Sequence, residues 1–91
     1  MQFEYRTHGT CSSRILFEIE DGILKNVSYV GGCNGNLQGI SRLVSGMKVE
    51  DVIAKLQGIR CGAKDTSCPD QLSRALIAAS KKMEEEKENA Q

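Results

Sequence analysis

From Ser13 to Ile19 apolar and polar positions alternate. Ile15, Phe17 and Ile19 share one face, and Leu16 and Glu18 take the other. A period of two predicts a half-buried strand. Asp21-Gly22 follows and predicts a tight hairpin turn, because glycine accepts positive φ without a Cβ clash. The return strand is expected over Ile23 to Val30, with Val27 and Tyr29 on one face and Asn26 and Ser28 on the other. Phe3 and Tyr5 alternate with charged residues and predict an earlier edge strand.

Beyond Val30 the period changes. Gly31-Gly32-Cys33-Asn34-Gly35 breaks the sheet, and Leu37, Ile40, Leu43, Val44 and Met47 then fall at helical spacing. That predicts a helix from about Asn36, stopped at Gly46. A second helix is expected over Val49 to Gln57, its buried stripe being Val52, Ile53 and Leu56, with Gly58 ending it. The third has the clearest start. Thr66-Ser67-Cys68-Pro69-Asp70 offers a capping hydroxyl, a first-turn proline and an early carboxylate, each suited to the exposed N–H groups and positive end of a helix. Leu72, Ala75, Leu76, Ala79 and Met83 supply its apolar face. The outcome is a two-layer α+β domain: an antiparallel sheet of two or three strands packed on two or three helices.

The 91 residues make one domain, read as 1–80, followed by a charged, fraying helix end over 81–91. At this size one hydrophobic core is marginal, and small domains often carry a staple. Lysine plus arginine and aspartate plus glutamate number twelve each, and there is no tryptophan. Neither a broad basic surface nor many stacking aromatics is available, so direct nucleic-acid binding is not expected. The chain opens Met-Gln-Phe-Glu-Tyr-Arg, with no basic stretch leading into an apolar one, and no apolar run approaches a membrane span. A cytoplasmic location is the expectation, and there clustered cysteines read as metal-binding or catalytic rather than as permanent disulfides.

The four cysteines, Cys11, Cys33, Cys61 and Cys68, carry whatever chemistry the chain has. Cys11 precedes the first hairpin strand and Cys33 follows the return strand. An antiparallel pair brings those ends together. Cys68 opens a helix, where a thiolate meets unpaired N–H donors, which favours a nucleophile or a metal ligand. Four thiolates at one point would suit zinc or an iron–sulfur cluster. The spacing matches no simple zinc-finger pattern, so two other readings stand beside it: a thiol–disulfide pair of Cys61 and Cys68, and buried structural thiols. His8, three residues before Cys11, reads as an exposed polar residue before it reads as a ligand. The glycine-rich run lacks the Lys-Ser/Thr that completes a phosphate loop. One histidine, with no partner set, leaves no serine-type triad.

The run Thr66-Ser67-Cys68-Pro69-Asp70 spells the signature of the TSCPD domain. With Gly9-Thr10-Cys11-Ser12, the stretch Gly31 to Ile40 and Cys61-Gly62, it resembles the small four-cysteine members of that family, from about Phe3 to Ala79. The family includes a domain at the C-terminus of vitamin B12-dependent (class II) ribonucleotide reductases. The resemblance implies an accessory role: holding metal at Cys11, Cys33, Cys61 and Cys68, or assisting re-reduction of active-site thiols. It also implies a link to DNA biosynthesis or nucleotide binding, inherited from the large enzyme. This chain is too short to hold that enzyme's barrel, radical cofactor and nucleotide pocket. A more distant likeness is to U-type iron–sulfur scaffold proteins, which share the order hairpin, Gly-Cys loop, helix, and a late helix opened by cysteine. In that likeness Cys11, Gly32-Cys33 and Ser67-Cys68-Pro69-Asp70 stand for the three cysteine segments. The implied partners are a ribonucleotide reductase or an iron–sulfur assembly component. A metal-free interaction domain, homodimeric through a sheet edge, is the remaining alternative.

Overall fold

The computed structural model describes residues 2–7, 9–10, 12–32, 34–60 and 62–89. Among them the elements run β1 (Gln2–Arg6), β2 (Ser12–Glu20), β3 (Ile23–Gly31), α1 (Asn34–Val44), α2 (Val49–Leu56) and α3 (Cys68–Asn89). The strands form one antiparallel sheet in the order β1-β2-β3. This is the α+β arrangement that the two periods predict. Phe3 and Tyr5 do lie on an edge strand, paired with Phe17 and Ile15. The Phe3 and Phe17 rings stack 5.4 Å apart.

The β2–β3 turn follows from its dipeptide. Asp21 at φ 52° and Gly22 at φ 77° both take the left-handed conformation that a two-residue hairpin needs. The turn is then stitched to the chain after α1. The Gly46 N–H donates to the Leu24 carbonyl at 2.8 Å, and the Leu24 N–H to the Met47 carbonyl at 2.9 Å. The Val49 N–H donates to the Gly22 carbonyl at 2.9 Å. Residues 46–49 thus cover the first part of the outer edge of β3.

Two irregularities interrupt the alternation, and neither was visible as a pattern of types. Leu16 pairs with Ser28 but Glu18 pairs with Lys25, so β3 carries one extra residue at Asn26–Val27. Asn26 accommodates it at φ 53°, and its amide donates to the Glu18 carboxylate at 2.8 Å. Arg14 pairs with Val30 but Ser12 pairs with Gly31, so β2 carries an extra residue at Ser13. Such bulges re-aim side chains. Here the second one turns Ser12 inward, to 4% exposure, while Ser13 and Arg14 stay on the surface.

The helices pack over one face of the sheet: α1 against β3, α3 over β2, and α2 against α3. The core joins Ile15, Phe17, Ile19, Leu24 and Val27 of the sheet to Val44, Val49, Val52, Leu72, Ala75, Leu76 and Ala79 of the helices. Ile15, Leu24, Leu72 and Leu76 are wholly enclosed, and burial of such a side chain is worth about 1.5–3 kcal/mol. One predicted core position is corrected. Leu43 is 77% exposed. The buried arc of α1 is Leu37, Ser41 and Val44, and Leu43 lies one 100° step outside it. Ser41 is tolerated inside because its hydroxyl donates to the Leu37 carbonyl at 2.7 Å. α1 also starts at Asn34, two residues before the predicted Asn36. α3 runs on to Asn89, and Met83 packs against the core. No described helix is long and apolar enough to cross a membrane.

Candidate functional site

Of the predicted site residues, Cys68 is described. It is half-buried, forms no disulfide, and is the first residue of α3. Cys11, Cys33, Cys61 and His8 lie outside the described residues. The surroundings of Cys68 are built from one end of the sheet, where β2 starts and β3 finishes. Its Sγ lies 3.3 Å from Ser12 Oγ, brought inward by the bulge at Ser13. Tyr29 of β3 donates its phenol to the Cys68 carbonyl at 3.2 Å. Burial pushes the Tyr29 phenol well above its ordinary pKa, and negative charge at Cys68 adds to this. Tyr29 therefore stays protonated and remains a donor.

The segment before β2 folds onto the same place. Thr7 and Thr10 hydroxyls donate to the Ser12 carbonyl, the latter at 3.3 Å, and Thr10 and Ser12 hydroxyls meet at 3.2 Å. A Cβ on Gly9 would stand 3.2 Å from the Thr66 methyl. On the other side, Gly32 sits at φ 82° directly against Ser12. A Cβ there would lie 3.1 Å from the Ser12 nitrogen and 2.9 Å from Leu37 Cδ1. Only glycine fits both that backbone angle and that approach. So Ser12, Gly32 and Cys68 meet at one end of the sheet.

The start of α3 is held by a hydrogen-bond network. Ser67 is the N-cap: its hydroxyl accepts from the Asp70 N–H at 3.2 Å and donates to the Ile59 carbonyl at 2.6 Å. Pro69 costs nothing there, since a first-turn N–H has no intrahelical acceptor. The Asp70 side chain, 4% exposed, accepts from the Gly58 N–H at 2.7 Å, from the Thr66 hydroxyl at 2.5 Å and from Arg74 at 3.0 Å. Gln71 donates to the Thr66 oxygen at 2.9 Å. Burial pushes the Asp70 carboxyl up, but the Thr66, Gly58 and Arg74 interactions together outweigh it and hold it below its ordinary pKa. Both ends of the loop 58–67 are thereby pinned to α3. Among the described residues no buried side-chain nitrogen or oxygen lacks a partner.

A family model, the TSCPD domain, matches residues 3–80. The chain belongs to the TSCPD domain family. The five residues of the TSCPD signature divide the labour just described: Thr66 and Asp70 clamp the loop, Ser67 caps the helix, Pro69 fits its first turn, and Cys68 is left to face Ser12. The TSCPD domain is known from class II ribonucleotide reductases. No curated protein and no solved structure matches the chain.

A half-buried thiol at a helix start, free of any disulfide, is a competent ligand for zinc or an iron–sulfur centre. Among the described residues no group of three or more histidine, cysteine, aspartate or glutamate side chains lies close enough to hold an ion. Sequence reasoning missed Ser12, Tyr29 and Gln71 as members of this site. Ser12 had one signal, its place beside Cys11. Tyr29 had none, because its partner Cys68 is distant in the chain, and Gln71, though only five residues from Thr66, had none in its residue type.

Proposed function

We propose that this TSCPD domain binds a metal through Cys11, Cys33, Cys61 and Cys68, zinc before an iron–sulfur cluster. In this reading it serves as an accessory module related to ribonucleotide reductase. The observation that supports the reading is the meeting of Ser12, Gly32 and Cys68. Ser12 follows Cys11 in the chain, and Gly32 precedes Cys33. Neighbouring Cα atoms are about 3.8 Å apart, so two further thiols are tethered one residue from the contacts around Cys68. When bound, the ion would cross-link sheet and helix and add its binding free energy to folding. Ser12 and Tyr29 would orient the Cys68 segment, and the Asp70 clamp would keep the loop that carries Cys61 closed on α3. Elemental analysis of untagged protein purified without oxygen tests this. The expected result is stoichiometric zinc or iron, lost in Cys68→Ser, with a chelator-induced fall in melting temperature. Protein free of both metals, with a melting temperature unmoved by chelator, overturns it.

A second reading is a thiol–disulfide partner using Cys61 and Cys68. What favours it is the pinned loop, whose ends are fixed by the Gly58–Asp70 and Ile59–Ser67 hydrogen bonds, so that the two cysteines share one closed segment. Mass spectrometry after mild oxidation should then find a Cys61–Cys68 disulfide that thioredoxin or glutathione reduces. Failure to find that bond in oxidised protein removes the reading.

A further inference from the structure

The outer edge of β3 is open beyond Leu24. Residues 46–49 close it only as far as the Leu24 hydrogen bonds and an Ile23–Lys48 bridge. Val30 directs its carbonyl toward β2, where Ser13 Oγ donates to it at 3.1 Å. Antiparallel alternation then points the backbone N–H and C=O of Tyr29 and the N–H of Gly31 outward, and no described residue bonds them. Unused edges are ordinarily protected by charge, proline or a cover. The run Val27-Ser28-Tyr29-Val30-Gly31 has none of the first two, whereas β1, at the other edge, carries Glu4 and Arg6.

Alongside this edge runs a groove of about 400 Å³ between β3 and α1, lined by Val27, Ser28, Tyr29, Leu37, Gln38 and Arg42, among others. Its floor is apolar, from Val27 and Leu37. Its lining holds one charged side chain, Arg42, and no carboxylate. Arg42 makes no ion pair with any described residue.

We infer that the free edge of β3 receives an extended acidic peptide segment of a partner protein, which adds as a fourth strand and sets a carboxylate against Arg42. Strand addition takes affinity from main-chain hydrogen bonds and specificity from the pockets beside them. Five edge residues span roughly 17 Å, enough for a five-residue segment. A second copy of this chain is the poorer occupant. Two β3 edges related by a two-fold axis would bring two Arg42 side chains to one groove system with no acid to pair them. This inference does not depend on any metal at the thiol site.

The test is selection of a random seven-residue peptide library on the purified full chain, followed by fluorescence anisotropy with synthesised winners. Selected peptides should alternate β-branched or aromatic residues and carry one acid at a fixed register. N-methylation of the peptide on the pairing side should weaken binding at least tenfold, and the amide signals of Tyr29 and Gly31 should shift on titration. Arg42→Glu should lose the acidic peptides at least tenfold and accept versions with lysine in place of the acid, which controls for misfolding. Winners that bind Arg42→Glu unchanged, or shifts that avoid Tyr29 and Gly31, overturn the inference. So does a concentration-dependent dimer that the peptides dissociate, since the edge would then belong to a second copy.

Discussion

Asp70→Asn is the sharpest probe of the fold's chemical end. The carboxylate accepts three interactions with 4% of its side chain exposed, two of them from groups outside its own helix. An asparagine keeps one acceptor oxygen. If that oxygen faces the Gly58 N–H, the amide NH2 faces Thr66, whose oxygen already accepts from Gln71. The Thr66 hydroxyl proton then loses its acceptor, and Arg74 loses its ion pair. Hydrogen bonds to charged groups contribute about 1.5–3 kcal/mol each, and a buried unpaired donor costs about 1–3 kcal/mol. The half-exposed Arg74 adds at most about 1 kcal/mol. The expected loss is therefore about 2–4 kcal/mol, against a total of about 5–13 kcal/mol for a chain of this length. Urea denaturation at pH 7, at matched metal content, reads it as a lower midpoint with an unchanged slope. Acid sensitivity gives a second measure. Because the folded pKa is depressed, the carboxylate's stabilisation is present above the ordinary aspartate range, near 4, and fades as pH falls through the folded value. Asp70→Asn should flatten that part of the stability profile. A loss below about 0.5 kcal/mol with an unchanged acid limb would refute the clamp, since that is the range of ordinary surface substitutions.

Other substitutions separate backbone, core and surface. Gly32→Ala meets Leu37 and the Ser12 backbone at a positive φ, whereas Gly22→Ala meets nothing within 4 Å at a similar φ. Thermal melts should show the first costing at least about 2 kcal/mol and the second about 1 kcal/mol. Leu72→Ala empties a site with no exposure and should cost about 2–5 kcal/mol by urea titration. Leu43→Gln, at 77% exposure, should stay within about 0.5 kcal/mol. A Leu43→Gln cost comparable to that of Leu72→Ala would show α1 to be rotated from the orientation described.

Much of the architecture was legible because it rests on local rules. The β2 alternation, the Asp21-Gly22 turn and the apolar stripe of α3 each depend on neighbours one to four residues away. What escaped depends on distant partners. The sequence marks Asp70 as a carboxylate suited to a helix start, but its main work is on the Gly58 N–H twelve residues earlier. Thr66 or Ser67 offered a capping hydroxyl, and only the geometry separates them: Ser67 caps, and Thr66 turns to Asp70. Leu43 was placed inside because spacing alone cannot say that Ser41, a polar residue, completes the buried arc. Of the candidate site, the position of Cys68 at a helix start was readable, while the Ser12 and Tyr29 contacts required the β2 and β3 registers.

The extra residue at Ser13 has a consequence for how this domain tolerates change. A single-codon deletion there would leave every core side chain and every cysteine in the sequence, and restore a strict two-residue period through the start of β2. Ser12, then two residues before Ile15, would keep its inward place and its contact with Cys68, because the deleted residue is the one the bulge sets aside.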